Sequence, residues 1–193
     1  MKPAGFVRAG GQSRRMGRDK ASLRVGETTL LERALGALQT VCGTVTIVGN
    51  RDDLTVFARV IPDSFTDSGP LAGIHAALAQ SQTDWNMVLA VDLPGIQAEN
   101  LRYLMDVPRA ESAVAVVAMG GGRLQPLCGF YHRRLAEAIG QALAAGERAV
   151  IPTLETVCGE TGLVRVEFAD AKVLTNLNTA EDVATWEAGR PSI

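Results

Sequence analysis

Short runs rich in Val, Ile and Ala alternate with longer segments of helical period along the whole 193-residue chain. A strand covered on both faces needs an unbroken apolar run, and its crossover needs an amphipathic helix, so this alternation predicts β-α units around a mostly parallel sheet. Strands are expected over 4–9, 44–48, 59–61, 87–91, 113–118 and 163–168. Helices are expected over 30–38, 71–78, 99–105, about 134–145, 151–157 and 179–187. Thr29 and Glu32 have the spacing of a capping box at the start of the first helix. After Gly120-Gly121-Gly122 the pattern changes, and 124–131 reads as an extended segment pairing back on its predecessor across a glycine turn. No long linker, repeat or low-complexity tract divides the chain, so one three-layer α/β/α domain of Rossmann-like build over 1–193 is the economical reading.

Composition narrows the function. Nineteen Lys and Arg against 21 Asp and Glu leave a formal charge of -2, which argues against nucleic acid as a partner. No apolar run reaches the roughly 18 residues of a membrane span, and the amino-terminal residues lack the apolar core of a secretion signal, so a soluble cytoplasmic protein with no membrane association is expected. Cys42, Cys128 and Cys158 are odd in number and far apart, with only two histidines as co-ligands, which argues against a disulfide framework and a structural zinc. Glycine is in excess, 20 of 193 residues against an average near 7%, and its placement after strands points to loops built for a ligand.

The first such loop, Ala9-Gly10-Gly11-Gln12-Ser13-Arg14-Arg15-Met16-Gly17-Arg18-Asp19-Lys20, follows the first expected strand. Paired glycines turn successive backbone N–H groups toward an anion, and four cationic side chains fall within seven residues, which suits a polyphosphate. It is neither a Walker loop, since Gly17 precedes Arg18 rather than Lys, nor a G-x-G-x-x-G fingerprint. Read blandly, it is an exposed basic loop with ordinary glycine turns.

Four further constellations carry chemistry. Asp63 precedes Gly69-Pro70-Leu71-Ala72-Gly73. Those glycines allow close approach of a ligand to a helix N-terminus, and Asp63 can take hydrogen bonds from a guanine edge or a ribose, or serve as an N-cap. The buried run 87–91 ends in Asp92, where a carboxylate calls for a partner such as Mg²⁺ bridging to phosphate, or else caps the helix that follows Pro94. Gln125 can offer a donor and an acceptor to a ring edge, or be part of an ordinary strand. Asn176 and Asn178 alternate onto one side of an extended segment, and Thr179 with Asp182 can cap the last helix. His75 is read as a helix-face residue and His132 as a helix-start residue.

The loop from Ala9 to Ala21 resembles the signature loop of molybdenum cofactor guanylyltransferases, within the nucleotidyltransferase superfamily. Asp63 with the Gly-Pro-Leu-Ala-Gly turn, Asp92-Leu93-Pro94, Gln125-Pro126-Leu127 and Asn176-Leu177-Asn178-Thr179 are similar to further motifs of that family, in its order, over nearly the whole chain. The resemblance implies transfer of GMP from GTP to the phosphate of molybdopterin or Mo-molybdopterin, with release of pyrophosphate. It implies that Arg8, Ala9, Gly10, Gly11, Lys20, Asp63, Gly73 and Asp92 bind the nucleotide, and that Arg15, Lys20 and Asp92 are catalytic. Asp92 would hold Mg²⁺, and Gln125, Asn176 and Asn178 would face the acceptor. The nucleotide-binding half would be about 1–95 and the acceptor-binding half about 96–193, with molybdoenzyme chaperones or cofactor-insertion proteins as partners. Rival readings are a cytidylyltransferase acting on the same pterin and a non-catalytic nucleotide-binding protein. The chain departs from the pattern at Arg8, where an apolar residue is usual, at Gly95 after Pro94, and at Ala180 in place of Pro. Arg8 would either reach a phosphate or weaken nucleotide affinity.

Overall fold

The computed structural model describes residues 2–10, 19–65 and 68–188. In chain order the elements are β1 Ala4–Arg8, β2 Arg24–Val25, β3 Thr28–Thr29, α1 Leu30–Val41, β4 Thr44–Val48, β5 Arg59–Ile61, α2 Gly69–Gln80, β6 Trp85–Ala90, α3 Ala98–Asp106, β7 Ala115–Gly120, β8 Arg123–His132, α4 Leu135–Ala144, α5 Val150–Gly162, β9 Leu163–Glu167 and α6 Ala180–Ala188. Seven strands form one sheet in the order β5-β4-β1-β6-β8-β7-β9. β8 alone runs against both its neighbours, while β1, β4, β5 and β6 are mutually parallel. This is the mostly parallel three-layer arrangement the alternation predicts. No helix among the described residues is long and apolar enough to cross a membrane.

Each central strand divides its side chains between two cores. Val7, Ile47, Met87 and Leu89 pack on one face with Leu31 and Leu38 of α1 and Leu101 and Leu104 of α3. Phe6, Val48 and Val88 pack on the other with Leu71 and Ile74 of α2 and Ile139 and Leu143 of α4. Burial on both faces is why these strands read as continuous apolar runs rather than as alternating ones. α1 begins at the expected capping box: Thr29 Oγ1 accepts from the Glu32 amide and the Glu32 carboxylate accepts from the Thr29 amide.

Three details differ from the expectations. The helix over 151–157 extends to Val150–Gly162 because Gly159, at φ 66, lets two helical pieces join across a kink. His132 does not start a helix; it ends β8, opposite Trp85 in the ladder. Finally, β8 bulges against β7 between the pairs Val117–Gly129 and Ala118–Gln125. Pro126 lies in that bulge and has no N–H to give the ladder, while the Tyr131 hydroxyl donates to its carbonyl at 2.6 Å.

The parallel strands bring the loops after β1, β4, β5 and β6 to one edge of the sheet, where α/β proteins bind ligands. Gly49 makes the closest of these approaches possible. It has φ 148, and a Cβ there would lie 2.8 Å from both the N and the Cα of Gly10. The sequence motifs draw attention to Gly10 but not to its neighbour across the strands. We expect Gly49→Ala to cost about 1–3 kcal/mol, since it combines a left-handed backbone with a backbone clash. Urea unfolding checks this, and an unchanged midpoint would show that the first loop does not depend on this contact.

Candidate functional site

Asp92 lies two residues beyond β6, with its side chain 15% exposed. Its Oδ2 accepts from Lys20 Nζ at 3.2 Å and its Oδ1 from Asn176 Nδ2 at 2.9 Å. Asn176 Oδ1 in turn accepts from Gln125 Nε2 at 2.8 Å, and Lys20 Nζ also donates to Asn178 Oδ1 at 2.6 Å. Five side chains from four separate stretches of sequence therefore form one hydrogen-bonded network.

Local structure explains how each reaches it. The Leu177 amide donates to the Asp92 carbonyl at 2.9 Å and the Leu177 side chain is buried, so both flanking asparagines turn to the opposite side, as alternation predicts. The Asp182 carboxylate accepts from the amides of Asn178 and Thr179, and Thr179 Oγ1 accepts from the Asp182 amide. These backbone donors, Asn178's first, hold the Asp182 carboxyl below its ordinary range. Asp92 is not a helix cap: the N-cap of α3 is Gln97. Lys20 opens a single 3₁₀ turn, Lys20–Ser22, whose Ala21 is buried.

Toward β5 the site is built differently. Arg8 Nη2 sits 3.0 Å from Asp63 Oδ2, with both side chains largely buried, and Arg8 Nη1 donates to the Val48 carbonyl at 3.4 Å. The side chain that Arg8 meets is thus a carboxylate. Asp63 is not a helix cap either, since the N-cap of α2 is Ser68. The arginine also fills the room expected for a close ligand at Gly73, where a Cβ would lie 2.3 Å from Arg8 Cδ, and it crowds Gly10 in the same way. Burial lowers the Arg8 pKa, with the Asp63 charge opposing, and burial pushes the Asp63 carboxyl up, with the Arg8 charge opposing. Asp63 Oδ1 and Arg8 Nε are buried without a hydrogen-bond partner among the described residues.

Ala9, whose amide donates to the Val48 carbonyl at 3.1 Å, and Gly10 stand at the mouth of the first loop. Gly11 and Arg15, like Arg14, Arg18 and Asp67, lie outside the described residues. Two cavities flank the network. One of about 510 Å³ has Asn176, Gln97, Lys172 and Trp186 in its lining, and one of about 330 Å³ has Gln125, Pro126, Leu127 and Val150. The Gln125–Asn176 hydrogen bond thus joins the linings of both. Among the described residues no group of three or more His, Cys, Asp or Glu side chains could hold a metal by itself. Sequence reasoning missed Arg51, which forks onto Asp19 immediately before Lys20.

Comparison with known proteins identifies the family. The MobA-like NTP transferase domain matches residues 5–157. A protein of Pelotomaculum thermopropionicum named "Probable molybdenum cofactor guanylyltransferase" is 36% identical, over 100% of this chain and 90% of its own. The molybdenum cofactor guanylyltransferase of Syntrophotalea carbinolica is 33% identical, over 97% and 91%. In fold, the chain is similar to the crystal structure of molybdopterin-guanine dinucleotide biosynthesis protein A from Archaeoglobus fulgidus, with a TM-score of 0.75 and 24% identity over 96% of this chain and 97% of that one.

Removing one member of a buried ion pair strands the other. Arg8→Leu should therefore lose about 3–5 kcal/mol at neutral pH, whereas Arg8→Leu with Asp63→Leu should retain most of the stability. The single variant's deficit should shrink on acidification. Burial already raises the Asp63 pKa against the opposing Arg8 charge, and without that charge it should rise further, so stability falls as pH rises from the unfolded pKa through the folded one and returns as the carboxyl is protonated. Denaturant unfolding at several pH values measures both effects; equal losses in the single and double variants would contradict the pairing.

Proposed function

Because the chain belongs to the MobA-like NTP transferase family, with molybdenum cofactor guanylyltransferases as its relatives, we propose that it transfers GMP from GTP to the phosphate of molybdopterin. An oxygen of the molybdopterin phosphate, free or already carrying molybdenum, attacks the α-phosphorus of GTP. The bond from that phosphorus to the β-phosphate oxygen breaks, and pyrophosphate leaves. This chemistry calls for alignment and charge neutralisation rather than a covalent nucleophile. The observation that carries the reading is the contact between Lys20, the last cation of the glycine loop, and Asp92, extended through Asn176 to Gln125.

The residues divide as follows. Ala9, Gly10 and Gly11 offer backbone groups to the nucleotide, and Gly73 supports the same side. Arg15 and Lys20 neutralise phosphate charge, with Lys20 exchanging a carboxylate partner for a phosphate one. Asp63 accepts from the donor edge of guanine, and Arg8 holds it. Gln125, Asn176 and Asn178 face the acceptor. On this reading residues 1–193 form one nucleotidyltransferase domain, with a nucleotide half to about 95 and an acceptor half beyond it. The work is cytoplasmic, and molybdoenzyme chaperones or cofactor-insertion proteins receive the product.

Mg²⁺ fits this donor set. Asp92 is a hard carboxylate whose Oδ2 meets Lys20 Nζ, the same atom that meets Asn178 Oδ1, with no acidic cage among the described residues, which suits an ion shared with substrate phosphates. Asp92 would hold it, and the ion would supply charge neutralisation on the phosphates when bound. Asn176 orients the Asp92 carboxylate by donating to Oδ1, and Lys20 balances its charge.

The purified protein, incubated with Mg²⁺, molybdopterin and GTP, should release one pyrophosphate per dinucleotide formed, and little with CTP. Release with CTP alone would move the chain to the cytidylyl reading, and none with either would overturn the transferase reading. Asp92→Asn should lower kcat by about 10²–10³-fold with unchanged circular dichroism.

A further inference from the structure

Arg51 lies in the connection after β4, at the same sheet edge as the site, with its side chain 19% exposed. Its guanidinium spends all three nitrogens on two carboxylates. Nη1 and Nη2 donate to the two oxygens of Asp19, each at 2.7 Å, while Nε and Nη2 donate to the two oxygens of Asp53 at 2.8 and 2.7 Å. Asp53 is a local partner two residues away; Asp19 is 32 residues away. The second fork therefore ties the connection after β4 to the end of the glycine loop.

Asp19 passes that restraint on. Its Oδ1 accepts from the Ala21 amide at 3.2 Å, and its carbonyl accepts from the Ser22 amide at 3.2 Å and the Ser22 hydroxyl at 2.8 Å. It is the cap of the turn whose first residue is Lys20. On the downstream side the turn is anchored by the buried side chains of Ala21 and Leu23. Between these anchors only the Lys20 side chain is left to move, and its Nζ rests on Asp92 and Asn178. A lysine loses rotamer entropy when fixed, so a backbone held at both ends lowers what is left to order.

We propose that Arg51 is a positioning residue for nucleotidyl transfer, acting through Asp19 to set Lys20 on the reacting phosphates. The proposal rests on the transferase reading given above. The fork is what matters: a lysine at 51 would keep the charge but lose the two parallel N–H···O bonds that orient the Asp19 carboxylate.

The test compares Arg51→Ala, Arg51→Lys, Lys20→Ala and the double variant Arg51→Ala/Lys20→Ala with the unsubstituted protein. Asp53→Ala, which leaves the Asp19 fork in place, is the control. With Mg²⁺, molybdopterin and GTP, Arg51→Ala should lower kcat/KM by about tenfold to a hundredfold, as displacement of a charged group by about an ångström does. Arg51→Lys should not recover it, Asp53→Ala should stay near the starting protein, and the double variant should be no worse than Lys20→Ala alone. A second readout needs no turnover: peptide mass spectrometry after brief treatment with an amine-acylating reagent should show Lys20 labelled several times faster in Arg51→Ala. Additive losses, full activity in Arg51→Lys, or unchanged Lys20 labelling would each overturn the proposal. If the unsubstituted protein releases no pyrophosphate, the transferase reading fails, while the labelling comparison still decides whether Arg51 controls Lys20.

Discussion

A sheet covered on both faces confines polar chemistry to its strand ends, and everything else in this molecule follows from that constraint. With Leu31, Leu38, Leu101 and Leu104 on one side and Leu71, Ile74, Ile139 and Leu143 on the other, β1 and β6 have no solvated face to carry a functional group. Parallel pairing then puts the carboxyl ends of β1, β4, β5 and β6 on one edge. The residues just past those ends, Gly10, Gly49, Asp63 and Asp92, become neighbours although the chain separates them widely. Chain distance is spent in helices; chemical distance is set by the strand spacing of about 5 Å.

How much of this was legible in the sequence depends on the range of the interaction involved. Apolar runs and helical periods are local, and they located the main strands and helices to within a few residues. Gly159 and Pro126 show the limit of such reading: one joins a further helical piece to the short helix expected over 151–157, the other lies in a bulge that periodicity does not register. The network around Asp92 was also accessible, because Lys20, Asp92, Gln125, Asn176 and Asn178 each stand in a recognisable motif. Ion-pair partners were not. Nothing in the string around Arg8 names Asp63, and nothing around Asp19 names Arg51, because a pairing across 32 or more residues exists only once the strands are side by side. Gly49 escaped notice for the same reason. Its lack of a side chain matters to Gly10 and Ala9, just past the end of the adjacent strand.

The structure also changes what the glycines are for. Gly73 looked like a place for a ligand to approach backbone, yet the group that occupies its missing side chain is Arg8. The Gly-Pro-Leu-Ala-Gly turn thus packs against a guanidinium of the same chain. A Leu or Ile at position 73 would displace that guanidinium and with it the partner of Asp63, so the glycine is needed by the ion pair before any ligand is considered.

The excess of positive charge near the start of the chain suggests a loop waiting for an anion, but two of its cations at the sheet edge are already matched. Arg8 has Asp63, and Lys20 has Asp92. At these two residues, binding a triphosphate would be an exchange of partners, and the geometry indicates which pair can exchange. Lys20 meets Asp92 through one contact of 3.2 Å, with the lysine side chain 28% exposed, and a single charge-assisted bond of this kind can pass from a carboxylate to a phosphate oxygen. Arg51 and Asp19 meet through two bonds of 2.7 Å in a planar fork, which loses both at once if either group turns. A lysine on an exchangeable contact, carried by a turn that is held at both ends, can change its partner without changing its place.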